Sequence, residues 1–186
     1  MHCHPIASSY STALLDEFLE TVRPQTTVLR IGKGDRIDEH VLQTASELTF
    51  VYPTWWGTVP AALLRELVEV LGPWVDGPLQ REPSPIAQVR TLRAVTTHGS
   101  SKLMNMVQGE PGLRMWRAIV LPLCAPGANF EWRALYGMDR DDAAARGDFL
   151  ASLARPTTSG KPSRLIRGAN RMLATGRTSA GRTGDN

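Results

Sequence analysis

A chain of 186 residues is long enough to bury one real core and short enough for a single domain. Hydrophobic residues at 42% and charged ones at 21% are ordinary globular values, and the net charge of +3 is mild but unevenly placed. No apolar stretch approaches the roughly 20 residues of a membrane span, and no secretory signal precedes the widely separated Cys3 and Cys124, so a reduced cytoplasmic protein is expected.

The chain opens abruptly. Parallel α/β domains start with a buried strand that delivers the first ligand loop, yet only Met1, His2 and Cys3 precede His4-Pro5. The first strand is therefore expected to be truncated, with the natural start lying upstream of Met1. His2-Cys3-His4 does not read as a metal cluster, because alternate side chains of an extended strand point apart. No metal is expected. A hydroxyl-rich turn follows, ending in Ser8, Ser9, Ser11 and Thr12, and it feeds a helix with Leu15, Phe18, Leu19 and Val22 at helical spacing. Such a turn can be simple serine capping, or the cradle of an anion at a helix start.

Arg23-Pro24 stops that helix, residues 26–31 read as the second strand, and residues 32–35 form a Gly-Lys-Gly-Asp turn. A short helix over 38–45 leads to the stretch around which the chain is organised. Residues 48–52 form an apolar run rich in β-branched and aromatic residues, a buried strand. From Pro60 the chain reads as a helix, amphipathic over 61–71, with Gly72-Pro73 as its stop and a proline-rich loop over 74–85. Between strand and helix lies Pro53-Thr54-Trp55-Trp56-Gly57-Thr58-Val59. That turn is too apolar for ordinary surface, and its two indoles want a flat partner rather than a place in the core.

Residues 89–97 form the next strand, ending in Thr96-Thr97-His98-Gly99. Residues 100–112 contain neither tyrosine nor histidine; residues 113–125 are helical in content, with Pro122 near the end, and Cys124 there reads as packing. Residues 130–136 make the last strand, and a helix capped by Asp139 or Asp141 runs to about residue 153. Beyond it, residues 155–182 carry seven basic residues and no acid. Residues 156–186 are expected to be a basic, disordered, solvated tail with no base-reading motif, after a domain spanning 1–155; contact with an anionic membrane surface or nucleic acid is the minority reading.

Tyr52-Pro53-Thr54-Trp55-Trp56-Gly57-Thr58-Val59-Pro60-Ala61 resembles the Pro-x-x-Trp-x-x-x-Pro-Ala turn of the NAD(P)H:quinone oxidoreductases with a flavodoxin-like fold. His4-Pro5 with Ser9-Tyr10-Ser11 upstream, and Thr96-Thr97-His98-Gly99 downstream, fall in the family's order. The resemblance covers about residues 2–155. It implies an α/β three-layer sandwich with a parallel sheet of order 2-1-3-4-5, binding FAD or FMN and using NAD(P)H as co-substrate. In that reading His4, Ser9, Tyr10 and Ser11 wrap the ribityl and phosphate. Pro53, Thr54, Trp55, Trp56 and Gly57 form one wall of the flavin slot, the amides of Trp56 and Gly57 facing the ring. Thr96, Thr97, His98 and Gly99 take its other polar edge. His98 stands where the family favours glycine and, as the only imidazole near the presumed ring apart from His4, is the candidate proton donor. Arg140 or Arg146 could hold an adenine if the cofactor is FAD.

The resemblance further implies hydride transfer from NAD(P)H to a quinone or similar small electrophile, in a homodimer. Two departures stand out. The connection before the central strand is shorter than usual in the family, and Arg65-Glu66-Leu67-Val68-Glu69-Val70 replaces its Lys-Gly-Trp-x-Asp-Arg run. The alternative from another class is a non-catalytic flavin- or nucleotide-binding regulatory subunit of a larger assembly.

Overall fold

Five parallel strands are hydrogen-bonded in the order β2-β1-β3-β4-β5, as the resemblance implied. The computed structural model describes residues 1–4, 9–21, 26–31, 36–138 and 143–153. The Arg23-Pro24 stop, the 32–35 turn, the Asp139 or Asp141 cap, Arg140 and the 156–186 tail lie outside the described residues. In chain order the strands are β1 (His2–Cys3), β2 (Arg30–Ile31), β3 (Glu47–Pro53), β4 (Thr91–His98) and β5 (Asn129–Tyr136). The helices are α1 (Tyr10–Thr21), α2 (Glu39–Thr44), α3 (Ala61–Val75), α4 (Lys102–Val107), α5 (Pro111–Met115) and α6 (Ala143–Leu153).

Strand alternation splits the apolar residues between two layers. Phe50, Tyr52, Leu92 and Ala94 join Leu63, Leu67 and Leu71 of α3 in the larger core. Val51 and Val95 face the other way, onto Leu14 and Leu15 of α1 and Leu153 of α6. Each face of the sheet is thus covered, as a parallel sheet requires. The pairing is unequal along the sheet. β3 and β4 run in register from Glu47↔Thr91 to Pro53↔Thr97, and β4 and β5 from Thr91↔Asn129 to His98↔Tyr136. β1 is only two residues long and contributes two pairs to β2 and one to β3. The amino group of Met1 extends that strand, donating to Thr49 O at 2.5 Å.

Two elements depart from the sequence reading. α3 does not stop at Gly72-Pro73 but continues to Val75, with Pro73 inside it. The missing N–H leaves the carbonyl of Glu69, an exposed residue near the helix end, without its intrahelical donor, and Asp76 N–H continues the ladder by bonding Gly72 O. The helical stretch over 113–125 is three pieces: α5, a π turn (Trp116–Val120) and a 3-10 turn (Leu121–Leu123). Pro122 has no N–H for a regular turn, and the widened turn closes instead through Leu121 N–H on Trp116 O. That turn seats Trp116, fully buried, with its Nε1 donating to Tyr52 Oη at 2.6 Å.

Candidate functional site

The site lies where β3 and β4 end. Registering Pro53 with Thr97 brings Thr54 level with His98 and sets the two following loops side by side. On the β3 side the chain makes a two-residue hairpin turn: Trp55 N–H donates to Thr58 O at 3.0 Å and Thr58 N–H returns to Trp55 O at 3.1 Å. Both central residues have positive φ, Trp56 at 55° and Gly57 at 74°. This is the I′ geometry that normally takes Asn-Gly. A tryptophan there is strained, since a bulky L-residue in the left-handed region costs about 1–3 kcal/mol.

The strain gains no burial. Trp56 is 98% exposed and Trp55 50% exposed, so neither indole is core filler. Among the described residues, the amides of Trp56 and Gly57 donate to no backbone carbonyl. Pro111 locks the turn from the opposite side, and Gly112 N–H donates to Gly57 O at 3.1 Å. A Cβ on Gly112 would meet that same oxygen at 3.0 Å, which is why the position is glycine.

Thr54, Trp56 and Gly57 form one side of a cleft of about 440 Å³, and Gly99, Ser100, Gln108 and Pro111 form the other. Its size suits a planar cofactor, and it sits at the carboxyl edge of the strands, where open α/β sheets bind ligands. None of its lining side chains titrates near neutral pH.

The remaining predicted residues are placed as follows. Thr96 and Thr97 are buried below the rim, on opposite faces of β4, and do not line the cleft; Gly99 does. Thr97 instead offers its carbonyl to Thr54, accepting from Thr54 N–H at 2.8 Å and from Thr54 Oγ1 at 2.9 Å. Pro53 closes β3. His98, offered as a proton donor, is 4% exposed and turns its ring away from the cleft lining, stacking on Tyr136 at 4.6 Å and 14°. Burial pushes the imidazole down from 6.5 to about 4, against an opposing influence from the Asn105 side chain. The ring is neutral at physiological pH.

The N-terminal group is more dispersed. Ser9 Oγ accepts from Thr12 N–H at 3.3 Å, as an N-cap does, and lies 3.1 Å from Ser11 Oγ and 3.0 Å from Thr12 Oγ1. Ser11 is buried. Tyr10 donates its hydroxyl to Arg146 O at 2.7 Å, so its ring ties α1 to α6. His4 is half-buried, and residues 5–8, which follow it, lie outside the described set.

Sequence reasoning missed Ser100, Gln108 and Pro111. The Gly109-Glu110-Pro111-Gly112 turn was a usable signal, because such a cluster after a strand marks a loop at its carboxyl end. It also missed Glu110, whose carboxylate lies 3.4 Å from the Tyr136 hydroxyl.

Comparison with solved structures decides the fold. The Streptococcus mutans UA159 protein Smu.1420 superposes with a TM-score of 0.65 at 17% identity, over 83% of this chain and 97% of that one. The fold is flavodoxin-like. An NAD(P)H:quinone oxidoreductase from Methanothermobacter marburgensis matches with a TM-score of 0.58 at 18% identity, over 83% and 91% of the two chains. A Bacillus anthracis FMN-dependent NADH-azoreductase, solved in complex with FMN, gives 0.58 at 15% identity, over 83% and 95%. No protein-family model matches the sequence, and no curated protein does. Among the described residues, no helix is long and apolar enough to cross a membrane, and no group of three or more His, Cys, Asp or Glu side chains could hold a metal.

Proposed function

We propose that the chain is a flavin-dependent oxidoreductase that passes hydride from NAD(P)H to a quinone or similar electrophile. The observation that carries this reading is Trp56. A strained, fully exposed indole at the rim of a planar-sized cleft has no structural reason to be there, and backbone strain of this kind clusters at ligand sites. The solved neighbours that share the fold include quinone reductases and an FMN-bound azoreductase, which supports a flavin as the planar group.

The lining fits a flavin. Trp56 and Pro111 give apolar walls, and the free amides of Trp56 and Gly57 are donors for the ring edge that gains negative charge on reduction. Thr54, Ser100 and Gln108 add polar groups that orient it. When bound, the flavin supplies the hydride chemistry, and the protein's task is binding and orientation. A buried imidazole held near pKa 4 is a poor general acid at pH 7, so the proton for the reduced acceptor comes from solvent at the open mouth of the cleft. The exposed apolar side chains beside the cleft, Trp55 and Trp56 on one side and Leu103, Met104, Met106 and Val107 on α4, support a homodimer that covers them.

The absence of a titratable group from the cleft lining favours one second reading, a flavin-binding regulatory subunit without significant turnover. Purification separates the two. Yellow protein that oxidises NADH or NADPH with a benzoquinone supports the enzyme, and yellow protein without turnover supports the regulator. Colourless protein that takes up neither FMN nor FAD sinks both. Light scattering of the purified protein reads the dimer directly.

A further inference from the structure

Two residues that never touch the cleft fix the hydrogen-bonding sense of two that line it. Thr54 has one hydroxyl hydrogen and two inward partners, Thr97 O at 2.9 Å and His98 Nδ1 at 3.1 Å. If Nδ1 carries its proton, it donates to Thr54 Oγ1 and the hydroxyl hydrogen goes to Thr97 O. If Nδ1 is bare, the hydrogen goes to one of these two acceptors. With either tautomer an inward acceptor stands ready for that hydrogen, which leaves the Thr54 hydroxyl oxygen set to accept from a ligand. Stacking on Tyr136 holds the imidazole in place, and its neutrality keeps the pairing constant through neutral pH.

On the opposite lip the sense is reversed. The Asn105 side chain is buried, and its orientation follows from its partners: Nδ2 lies 3.0 Å from Ser101 O, a carbonyl that can only accept. The same Nδ2 donates to Ser100 Oγ at 2.8 Å. Among the described residues no acceptor takes the Ser100 hydroxyl hydrogen, which leaves it to a ligand.

We propose that Thr54 and Ser100 are specificity-determining residues, one accepting and one donating, that select a planar ligand edge carrying an N–H beside a carbonyl. His98 and Asn105 are the positioning residues behind them. The isoalloxazine pyrimidine ring has such an imide edge, so the inference deepens the flavin reading and rests on it for the choice of probe. It also gives His98 a reason to stand where a glycine could: the imidazole fills the space behind the rim and orients Thr54.

The test is a fluorescence-quenching titration of the full chain with lumiflavin and with N3-methyllumiflavin, which lacks the imide N–H. Lumiflavin should bind about tenfold more tightly, the worth of one hydrogen bond to a well-placed acceptor. Thr54→Val should erase that preference by weakening lumiflavin alone, and Thr54→Ser should keep it. His98→Phe should reduce the ratio of the two affinities, which a merely structural loss would leave unchanged because it scales both. Ser100→Ala should weaken both probes equally, since both keep their carbonyls. Equal binding of the two probes to the wild-type protein, or a preference that survives Thr54→Val, overturns the assignment while leaving the flavin reading intact. No binding of either probe overturns this assignment, and failure to take up FMN or FAD as well removes the flavin reading with it.

Discussion

Trp116 and Trp56 are the same residue type in opposite circumstances. Trp116 is 0% exposed, packs on Phe50 with ring centroids 4.5 Å apart, and satisfies its N–H on Tyr52. Trp56 is 98% exposed, sits in the left-handed region and packs on nothing that would repay its strain. The first holds the larger core together; the second is held by the fold at an unfavourable angle. Stability and function are therefore separable in this molecule, and substitutions at the two tryptophans should move them in opposite directions.

The largest effect belongs to the buried ring. Trp116→Ala should destabilise the protein by about 3–5 kcal/mol, because it opens a cavity and strips the Tyr52 hydroxyl of its donor. Urea unfolding followed by far-UV circular dichroism checks this. Trp116→Phe should cost less but still more than a simple volume change, since the buried phenol of Tyr52, whose ionisation burial pushes well up, loses its indole donor. A loss below about 1 kcal/mol for the alanine variant would mean that the π turn does not anchor the core.

Between core and cleft lies His98, and pH reaches it. Its folded pKa of about 4 lies below the unfolded 6.5, so the unfolded chain binds the extra proton first as pH falls. Its contribution is complete above about 6.5 and is lost progressively as pH drops toward 4, by roughly 3 kcal/mol at most. Subtracting the stability-pH curve of His98→Phe from that of the wild type cancels the other titrating groups. The difference should slope between pH 6.5 and 4 and be flat above; a flat difference throughout would mean that the ring is solvated.

How much of this could be read from the chain follows the same division. The central strand and the start of α3 were legible because residues 48–52 are an apolar run broken only by Thr49 and Pro60 announces a helix start. The strand order followed from the resemblance carried by Trp55, Trp56 and Pro60. The π turn was not legible, because it depends on where Trp116 must reach Tyr52 and not on local propensity. Pro73 read as a stop because sequence alone does not tell that its helix has an exposed carbonyl to spare. The Trp56-Gly57 turn carries none of the usual Asn-Gly signal, and the lip formed by Ser100, Gln108 and Pro111 required the fold to bring residues 54 and 100 together. His98 was found as a residue near the site, but its burial and its place behind Thr54 are tertiary facts.

A smaller effect probes the contact that fixes the turn. Gly112→Ala puts a Cβ 3.0 Å from Gly57 O and 3.5 Å from Thr58 Cα, so the two loops must part by a few tenths of an ångström. A cost of about 1–2 kcal/mol is expected, with a weaker hold on flavin, because the wall formed by Pro111 shifts with its neighbour. Gly57→Ala combines a strained φ of 74° with a Cβ 3.4 Å from Pro111 Cγ and should behave alike.

The smallest change in stability, and the most telling, is Trp56→Gly. Glycine adopts φ near 55° without steric penalty, and the strain released is partly offset by the extra freedom it gives the unfolded chain, so stability should rise by up to about 1 kcal/mol. Flavin affinity should fall at the same time, by about fivefold if the indole borders the ring, since loss of a stacked aromatic is worth about 1 kcal/mol. Thermal unfolding and a flavin titration on one preparation read both quantities. A gain in one with a loss in the other identifies Trp56 as a residue kept against the interest of the fold. A variant that is less stable and binds flavin as well as the wild type would mean that the indole supports the turn and nothing else, and the cleft would lose its reason to be a flavin slot.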